Sequence, residues 1–438
     1  MIMTYEEAIS YLESTSTFGI KPGLTRIQSI LDALDNPERA YKIIHVTGTN
    51  GKGSTAAYIS YALFMSGLKV GRFTSPHLES YTERIMINDT MISEEAFADA
   101  LDNVRDVVDT LTKKGMEYPT QFELLTATAF LYFKMQTVEY AVIEVGLGGL
   151  LDSTNVVLPE VSVITNVTID HTAYCGTTVE EIAKHKAGII KAGVPVVTAA
   201  QSPALDIIEK TAQEKHAPLY VYNKAFTIDS RSAITVGDTK GQMVTISDEG
   251  GNPAMLFTKL CGIHQAVNLS CALMAVRLLM TKERKISEET MREGFARTEW
   301  PGRFEILSVD GRTFILDGAH NAAGSEAFEM TYKELFQNKP KTLIMAIMKD
   351  KEIPQIISQV VKEGDRVFTV AAQSQLERSE NPKDLANRIG DNATPISSVS
   401  SALEEAIRET NTGDIVAICG SLYILGEVRR WLRQKAIG

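Results

Sequence analysis

Residues 45–55 (HVTGTNGKGST) contain the residue types with the clearest chemical meaning in this chain. An apolar stretch leads into a Gly-rich turn, and the turn leads into a segment with helical character. Glycines allow successive backbone N–H groups to converge on phosphate oxygens, and a helix N-terminus adds positive potential. Lys52 follows Gly51 and could reach the β- and γ-phosphates of a nucleotide, although Gly53 separates it from Ser54, unlike in a strict Walker A motif. The segment predicts a nucleotide-phosphate loop.

A carboxylate, Glu144, ends the apolar stretch 141–144 in the manner of a Walker B acid. A buried acid is unfavourable unless it is paired or binds a metal, and a Mg²⁺ ion between nucleotide phosphates would be such a partner. A structural ion pair explains the same pattern equally well. The glycines of residues 146–149 do not form a dinucleotide fingerprint, because Leu151 stands where that motif requires a third small residue.

Two further groups follow the next predicted elements. Asp170 and His171 come after an apolar stretch at 161–167, so His171 is expected at the carboxyl edge of a sheet, where a ligand role competes with an ordinary structural one. Lys184 and Lys186 lie two residues apart in a predicted helix and therefore point to different faces. At most one of them can face a site, and the residues alone favour a solvated lysine.

Strands and helices alternate through most of the chain, a pattern typical of a mainly parallel sheet with helices on both faces. The first forty residues predict helices around a Gly/Pro turn at 21–24, and residues 226–259 predict antiparallel strands. We predict an α/β fold with a P-loop NTPase-type domain at 1–299 and a smaller Rossmann-like α/β domain at 300–438. The expected strands are 42–47, 140–145, 161–167, 194–198, 313–316, 342–347, 366–370 and 414–419, and the expected helices include 53–65, 124–133, 178–190 and 268–280.

The composition excludes several classes of function. The 438 residues are 44% hydrophobic and 23% charged, which is typical of a globular protein and excludes a disordered or fibrous chain. The net charge of −11 gives a surface that repels phosphate backbones and anionic lipids, so neither nucleic acid nor a membrane is expected as a partner. The four cysteines show no metal-binding spacing, and no secretory signal or membrane span is visible. We therefore expect a cytoplasmic protein with reduced thiols.

Segments from the Gly-rich loop almost to the C-terminus together resemble the folylpolyglutamate synthase family, within the Mur ligase-like group of ATP-dependent amide ligases. The pair GTNGKGS and DGAHN is the most specific part of this resemblance. The segments occur in the family's order at residues 47–55, 73–77, 83–85, 144–149, 170–171, 186–191, 264–268, 300–303, 317–321, 349–351 and 420–423.

The resemblance implies an enzyme that adds L-glutamate to the γ-carboxylate of a reduced folate such as tetrahydrofolate. ATP first phosphorylates the carboxylate, and the glutamate amine then displaces phosphate from the acyl phosphate, which leaves ADP and phosphate. Such a reaction requires phosphate binding, substrates held in line and, by resemblance, two Mg²⁺ sites. The implied partners are ATP, L-glutamate and a reduced folate, and the protein is expected to be a monomer.

The resemblance also assigns roles to single residues on the nucleotide side. ATP contacts fall on Gly48, Thr49, Asn50, Gly51, Lys52, Gly53, Ser54, Asn268, Arg303 and Asp317. Catalytic roles fall on Lys52, Lys186, Asp317 and His320, with His320 beside the γ-phosphate or the incoming glutamate. Metal ligands fall on Ser75, Glu144, His171 and Lys186, the last as a carbamate.

On the folate and glutamate side, the resemblance assigns contacts to Gly23, Leu24, Arg84, Thr120, Gln121, Phe122, Glu123 and Ser421. Arg84 would be a cation on the folate side, and Ser421 would contact glutamate. The chain departs from the family pattern at Leu150, where many members have Arg, and at Cys175, where Leu is usual. The first departure affects the expected folate contacts, and the second is a change of core volume.

Other functions fit the sequence less well. Some family members also make dihydrofolate from dihydropteroate, and that bifunctional alternative stays open. A cell-wall Mur ligase that uses a UDP-sugar would need about a hundred further residues before the loop, and fewer than fifty precede Gly48. A nucleotide-switch protein is a remote alternative, because no NKxD guanine signature occurs and a switch would not need DGAHN.

Overall fold

The computed structural model describes residues 3–16, 19, 21–237, 239–251 and 253–437. These residues form two compact units. The first comprises the described chain up to Ser230 with Val244–Phe257 and Ala266–Thr298, and the second comprises Arg231–Met243, Thr258–Gln265 and the chain from Glu299 onward. The domain boundary expected between residues 299 and 300 stays a prediction, and two short segments before it lie in the second unit.

An eight-stranded sheet is the framework of the first unit. Its strands are β1 (Lys42–Thr47), β2 (Val70–Phe73), β3 (Ile85–Ile87), β4 (Thr90–Met91), β5 (Tyr140–Glu144), β6 (Val161–Ile164), β7 (Val196–Thr198) and β8 (Leu219–Val221). Their order is β4-β3-β2-β5-β1-β6-β7-β8, parallel from β2 to β8, with β3 antiparallel to both β2 and β4. All of β5 and all but the first residue of β1 are buried, so both faces of the sheet are covered.

Ten helices accompany this sheet in the described chain. They are α1 (Tyr5–Thr15), α2 (Thr25–Ala33), α3 (Lys52–Met65), α4 (Glu94–Lys113), α5 (Gln121–Met135), α6 (Thr172–Cys175), α7 (Val179–Ala187), α8 (Ala204–Glu214), α9 (Ile263–Met280) and α10 (Glu288–Arg297). Phe97 of α4 and Phe130 of α5 pack in one core with Ile43 and Ile143 of the sheet. Helix α3 contacts β1, β2 and β5.

Helix α9 is long and apolar enough to cross a membrane by length and composition alone, and 67% of it is buried inside the protein. The core helix of a soluble protein passes the same test, so this helix is weak evidence for a membrane span. Before it lies a three-stranded sheet of order β11-β10-β9, with β9 (Phe226–Val236), β10 (Thr239–Asp248) and β11 (Ala254–Thr258).

A six-stranded sheet is the framework of the second unit. Its strands are β12 (Glu305–Val309), β13 (Arg312–Leu316), β14 (Thr342–Met345), β15 (Arg366–Thr369), β16 (Ala393–Pro395) and β17 (Ile415–Cys419). The order is β12-β13-β17-β14-β15-β16, and only the β12–β13 pair is antiparallel. The helices are α11 (Ala322–Phe336), α12 (Ile353–Val360), α13 (Pro382–Ile389), α14 (Val399–Glu409) and α15 (Leu425–Ile437).

The α/β fold class predicted from the sequence is confirmed, and strand β1 has the predicted bounds. The predicted strand 161–167 is too long, because β6 ends at Ile164 and the next residues turn toward the Gly-rich loop. Helix α9 begins five residues before the predicted position. The sequence analysis missed α4, although its buried Phe97, Leu101, Val104 and Val108 follow a helical repeat.

Candidate active site

The parallel strands β2, β5, β1 and β6 are neighbours in the first unit and end at one edge of its sheet. Residues with predicted roles follow each of them. Ser75 follows β2, Glu144 ends β5, the Gly-rich loop follows β1, and His171 follows β6. Open α/β sheets bind ligands at this carboxyl edge. The fold therefore brings the predicted nucleotide and metal residues of this unit to one edge.

The Gly-rich loop is fixed by the segment that follows β6. The Asn50 backbone N–H donates to Asn166 Oδ1 at 2.9 Å, and the Thr165 hydroxyl donates to the Asn50 carbonyl at 2.6 Å. Gly51 has φ +84°, and a Cβ there would collide with the side chain of Asn268. The predicted nucleotide contact Asn268 therefore lies against the loop, and glycine is required at position 51 for both conformation and space.

Helix α3 begins at Lys52, directly after the Gly-rich loop. Gly51 is the N-cap and gives no side-chain hydrogen bond to the first turn. The Lys52 ammonium donates to the carbonyls of Gly48 at 3.0 Å and Thr49 at 3.1 Å, so it lies over the loop. Backbone N–H groups and one ammonium at a helix start can bind phosphate oxygens.

Two buried hydroxyls lie just inside the same helix. Ser54 Oγ and Thr55 Oγ1 are buried and have no hydrogen-bond partner within the described residues. A buried hydroxyl without a protein partner is unfavourable, so these two atoms are available to bind a ligand, a metal or water. Ser54 was expected to contact ATP, whereas the sequence analysis gave Thr55 no role of its own.

Glu144 is only 3% exposed, and its Oε2 accepts a hydrogen bond from the Ser75 backbone N–H at 3.1 Å. The two predicted metal ligands Ser75 and Glu144 are therefore adjacent. His171 lies after β6 with φ +51° and a half-exposed side chain, and its Nε2 is 3.7 Å from Asp170 Oδ2. The structure places His171 at the same sheet edge and in a more solvated position than Glu144.

Lys186 lies in the last turn of α7 and is only 4% exposed. Its ammonium has no hydrogen-bond or ion-pair partner among the described residues. Burial, with a smaller contribution from the charge of Lys52, lowers the pKa of Lys186 to about 7. The solvated lysine that the residues alone favoured is wrong, and Lys184 is the exposed member of the pair.

The glycines that follow Glu144 allow close packing against α7. The Leu150 backbone N–H donates to the His185 carbonyl at 2.7 Å, and a Cβ on Gly149 would lie 2.7 Å from the same oxygen. The Thr47 hydroxyl donates to the Gly148 carbonyl at 2.7 Å. This segment thereby connects the end of β1 with the helix that carries Lys186.

The sequence analysis missed a buried polar network behind these glycines. His45 Nε2 lies 2.9 Å from the Thr154 hydroxyl, Thr154 donates to Asp152, and the Leu147 N–H donates to Asp152 Oδ2 at 2.8 Å. Burial lowers the pKa of His45 to about 3 and raises the pKa of Asp152. The sequence signal for this network was the position of Asp152 and Thr154 shortly after Gly148 and Gly149.

Residues 120–123, the predicted folate segment, form hydrogen bonds and a ring contact within the protein. Thr120 caps α5, and Glu123 Oε2 accepts hydrogen bonds from the Thr120 N–H and hydroxyl at 2.8 and 2.9 Å. The Gln121 amide donates to the Tyr81 hydroxyl at 3.1 Å, and Phe122 stacks on Phe73. The direct folate contacts expected of Thr120 and Glu123 stay predictions, since both side chains already hold the start of the helix.

The other predicted folate residues lie on two nearby turns. Gly23 and Leu24 immediately precede α2, whose Arg26 donates from Nε to Glu123 Oε2 at 3.1 Å. Arg84 donates from Nε to His77 Nδ1 at 2.9 Å. Arg26 therefore holds Glu123 in place, and His77 holds Arg84 in place. The sequence analysis gave roles to Glu123 and Arg84 and missed Arg26 and His77. Burial, and secondarily the charge of Arg84, lowers the pKa of His77 to about 3.

In the second unit, four residues with predicted roles lie at the carboxyl ends of β13 and β17 or beside them. Asp317 is buried, and it accepts hydrogen bonds from the backbone N–H groups of Phe304 and Ala319, both at 2.7 Å. Burial raises the pKa of Asp317 to about 6, and the charge of Arg303 opposes this shift. A Cβ on Gly318 would collide with Arg303, so glycine admits the guanidinium.

His320 and Ser421 complete this second group. His320 Nδ1 lies 2.7 Å from the Gly318 carbonyl, which fixes its ring and identifies Nδ1 as the protonated nitrogen. Ser421 is buried after β17, and its hydroxyl accepts the Tyr423 N–H at 3.2 Å. The structure thus brings Arg303, Asp317, His320 and Ser421 to one end of the sheet in this unit.

The donor atoms around the Gly-rich loop fit magnesium. Mg²⁺ prefers oxygen ligands, and the unpartnered Ser54 hydroxyl and the buried Glu144 carboxylate are of that kind. No group of three or more His, Cys, Asp or Glu side chains that could hold a metal occurs in the described part of the chain. A magnesium ion here would therefore depend on hydroxyls and phosphate oxygens as well as on carboxylates.

Comparisons with known proteins agree with this geometry. The Mur ligase middle domain matches residues 46–276, and the Mur ligase glutamate ligase domain matches residues 302–422. The chain is 36% identical to the dihydrofolate synthase/folylpolyglutamate synthase of Bacillus subtilis (strain 168), with 99% of this chain and 100% of that protein covered.

Solved structures give the same result. The crystal structure of folylpolyglutamate synthase from Thermotoga maritima is similar with a TM-score of 0.86 and 36% identity, covering 99% of this chain and 98% of that one. Escherichia coli FolC in complex with DHPP and ADP has a TM-score of 0.86 and 28% identity, covering 98% of each chain. Both structures match over almost the whole length, so the likeness includes both units.

Proposed function

We propose residue roles from the premise that this chain belongs to the folylpolyglutamate and dihydrofolate synthase family of Mur ligases. Members of this family are ATP-dependent ligases, and this chain is one of them. We infer that it joins L-glutamate to the γ-carboxylate of a reduced folate through an acyl phosphate. The observation that carries this conclusion is the Gly-rich loop at the N-terminus of α3, with Glu144 at the end of a neighbouring strand.

The loop Gly48–Ser54 holds the triphosphate in this proposal. Its backbone N–H groups and the α3 N-terminus bind the phosphate oxygens, and Lys52 exchanges its two loop carbonyls for the β- and γ-phosphates. Asn268 lies against Gly51, and this proximity supports its proposed contact with the nucleotide. Since a carboxylate is a poor acyl donor, holding the γ-phosphate in line with it is the main contribution of the loop to the first step.

Ser54, Ser75, Glu144 and His171 are the side chains that would hold magnesium. When bound, the metal spreads the negative charge that develops on the transferred phosphate. The Ser75 backbone N–H donates a hydrogen bond to Glu144 Oε2 and so keeps this carboxylate in place at the end of β5. The two-site arrangement and the part of His171 in it are proposals that a titration with Mg²⁺ can test.

Lys186 is proposed to act as a carbamate. A buried ammonium beside metal ions and Lys52 is unfavourable, and its lowered pKa leaves a neutral amine that can react with CO₂. The product is an anion whose two oxygens suit a hard cation. The absence of a carboxylate partner for Lys186 among the described side chains supports this assignment.

In the second unit, Arg303 and Asp317 are proposed to contact the nucleotide and His320 to act beside the γ-phosphate or the incoming glutamate. The His320 ring is fixed through Nδ1, so Nε2 is the nitrogen able to accept a proton from the attacking amine. Ser421 is proposed to contact glutamate. The glutamate ammonium loses one proton to expose the lone pair that attacks the acyl phosphate, and the nitrogen loses a second proton as phosphate leaves, so a base beside the amine has a defined task.

A second activity, the synthesis of dihydrofolate from dihydropteroate, is favoured by one comparison. The Bacillus subtilis relative carries both synthase names and matches this chain over its full length. Both reactions activate a carboxylate of a pterin compound with ATP, so one site can serve both. We further propose a cytoplasmic monomer, and its four free and buried cysteines fit a reducing compartment.

The experiment that tests the function supplies ATP, Mg²⁺ and labelled L-glutamate with either tetrahydrofolate or dihydropteroate. ADP release and label incorporation that both require tetrahydrofolate and glutamate are expected. Incorporation with dihydropteroate as well would establish the second activity. ADP release that needs neither folate nor glutamate would refute the ligase assignment and favour a nucleotide switch.

A further inference from the structure

A small cluster beside the end of β2 holds Arg84 and Gln121, which were expected on the folate side, together with two residues that have no role so far. We call it the Arg84 cluster, and it consists of His77, Tyr81, Arg84 and Gln121. The rings of His77 and Tyr81 lie 4.4 Å apart, and the Arg84 guanidinium lies over the Tyr81 ring at 5.4 Å. The Gln121 amide donates to the Tyr81 hydroxyl at 3.1 Å and so connects the cluster to the start of α5.

His77 holds the guanidinium through a directed hydrogen bond. Arg84 Nε donates to His77 Nδ1 at 2.9 Å, so Nδ1 carries a lone pair and the ring proton is on Nε2. The guanidinium is planar, so the hydrogen bond at Nε together with the position over the Tyr81 ring restricts the direction of its two Nη nitrogens. Those two nitrogens form the fork that matches a carboxylate.

The position of Arg84 just before β3 limits which carboxylate of the substrate it can bind. Arg84 directly precedes β3, and β3, β2, β5 and β1 are successive neighbours. Strands lie about 4.8 Å apart, so Arg84 is about 14 Å across the sheet from the strand that carries the Gly-rich loop. The reacting γ-carboxylate must lie beside the γ-phosphate at that loop. The other carboxylate of a terminal glutamate, the α-carboxylate, can lie farther from it.

We propose that His77 is a positioning residue for Arg84, and that Arg84 so oriented binds the α-carboxylate of the terminal glutamate of the folate substrate. This inference rests on the proposed ligase function. It adds that the enzyme recognises the terminal glutamate of the folate by its α-carboxylate. The ligand chemistry is an anionic carboxylate next to the reacting one. Replacing the α-carboxylate by an amide removes the negative charge and keeps the γ-carboxylate available for activation.

The test compares steady-state constants of wild type, His77→Leu, His77→Asn, Arg84→Gln and the double variant His77→Leu/Arg84→Gln. We expect His77→Leu to raise the KM for tetrahydrofolate about tenfold, as loss of a hydrogen bond to a charged group does. The KM for ATP should stay within about twofold. Asn places its Oδ1 near the position of Nδ1, so His77→Asn should restore most of the affinity. Arg297→Gln, which removes an exposed guanidinium of the same unit, is the matched control.

The double variant separates positioning from a direct or structural role. If His77 acts through Arg84, His77→Leu should add nothing to Arg84→Gln. Wild type should also bind the α-amide of tetrahydrofolate about tenfold more weakly than the acid, whereas Arg84→Gln should not distinguish them. Additive effects, or an Arg84→Gln enzyme that still prefers the acid, would overturn the inference while leaving an active wild-type ligase. A wild type without folate-dependent ligation would refute both proposals.

Discussion

Lys186 in the first unit and Lys341 in the second are equally buried, with 4% and 3% of their surfaces exposed, but their surroundings differ. The Lys341 ammonium lies 2.9 Å from Asp365 Oδ2 and 3.7 Å from Glu329 Oε2, and it also lies over the Tyr332 ring. Lys186 has no carboxylate within ion-pair distance among the described residues. The same residue type is thus buried once in an ion pair and once without one, and Asp170 and Asp152 raise the pKa of Lys186 only as minor contributions.

This difference is the one expected between a structural lysine and the reactive lysine that we propose at position 186. Lys341 joins the start of β14 to Asp365, which also accepts the backbone N–H groups of Lys341 and Lys362. Such a network stabilises the ammonium in its charged form. Burial without a partner favours the neutral amine instead, and that form is the one able to react. Burial alone therefore does not identify a functional lysine, whereas burial without an ion pair beside a ligand-binding edge makes a lysine a candidate for function.

The largest effect is expected at the paired lysine. Lys341→Met should lower the free energy of unfolding by about 3–5 kcal/mol, because it leaves Asp365 buried without its cation. Denaturant unfolding followed by fluorescence measures this change, with the exposed Lys383→Met as the control. Lys341→Met/Asp365→Leu should recover part of the loss. A loss of less than about 1 kcal/mol in Lys341→Met would show that Lys341 is not the structural lysine of this comparison.

At the unpaired lysine, the expected loss is in activity. Lys186→Ala should reduce kcat by about 10²–10³-fold, the effect of losing one preorganised electrostatic contact, while the protein stays folded. Formate should restore part of the turnover by supplying a small carboxylate. Lys184→Ala changes an exposed lysine of the same helix and should be close to wild type. A fully active Lys186→Ala would eliminate the carbamate, and inactivity without rescue would favour a direct lysine–phosphate contact.

The comparison extends to the carboxylates, since Asp365 is neutralised by a lysine and Glu144 is held by the Ser75 backbone N–H. Glu144→Gln keeps the shape and removes the charge, so it should raise the Mg²⁺ concentration needed for half-maximal activity by about ten- to hundredfold, as even indirect metal partners do. Glu139→Gln, at the other end of β5 and paired with Lys285, is the control. An unchanged Mg²⁺ titration would make Glu144 structural.

The smallest effect is expected from Lys186→Met, which is the direct counterpart of Lys341→Met. Methionine fills a similar volume and removes an amine that has no ion-pair partner, so the free energy of unfolding should change by less than about 1 kcal/mol or rise. The measurement is the same denaturant titration. Destabilisation as large as that of Lys341→Met would show that both lysines are structural.

Much of the nucleotide side could be predicted from the sequence, because its signals are local. Strand β1, the glycine turn and α3 are consecutive in the chain, and their residue types fix each conformation over a few positions. The position of Glu144 at the end of a strand was predicted for the same reason, since it directly follows an apolar stretch. The roles of Asn268 and Lys186 came from the family resemblance. Both residues are far from the loop along the chain, so no local pattern connects them with it.

Tertiary structure decided the environment of each group. Lys186 is buried because α7 packs against the glycines after β5, and Lys341 meets Asp365 only through pairing of β14 with β15. The capping role of Thr120, the fixing of Arg84 by His77 and the end of β6 at Ile164 likewise follow from contacts between distant segments. Charge, burial and hydrogen bonding are properties of neighbours in space. A single sequence therefore determined which groups are available, and the fold decided where each strand ends and which groups are charged or paired.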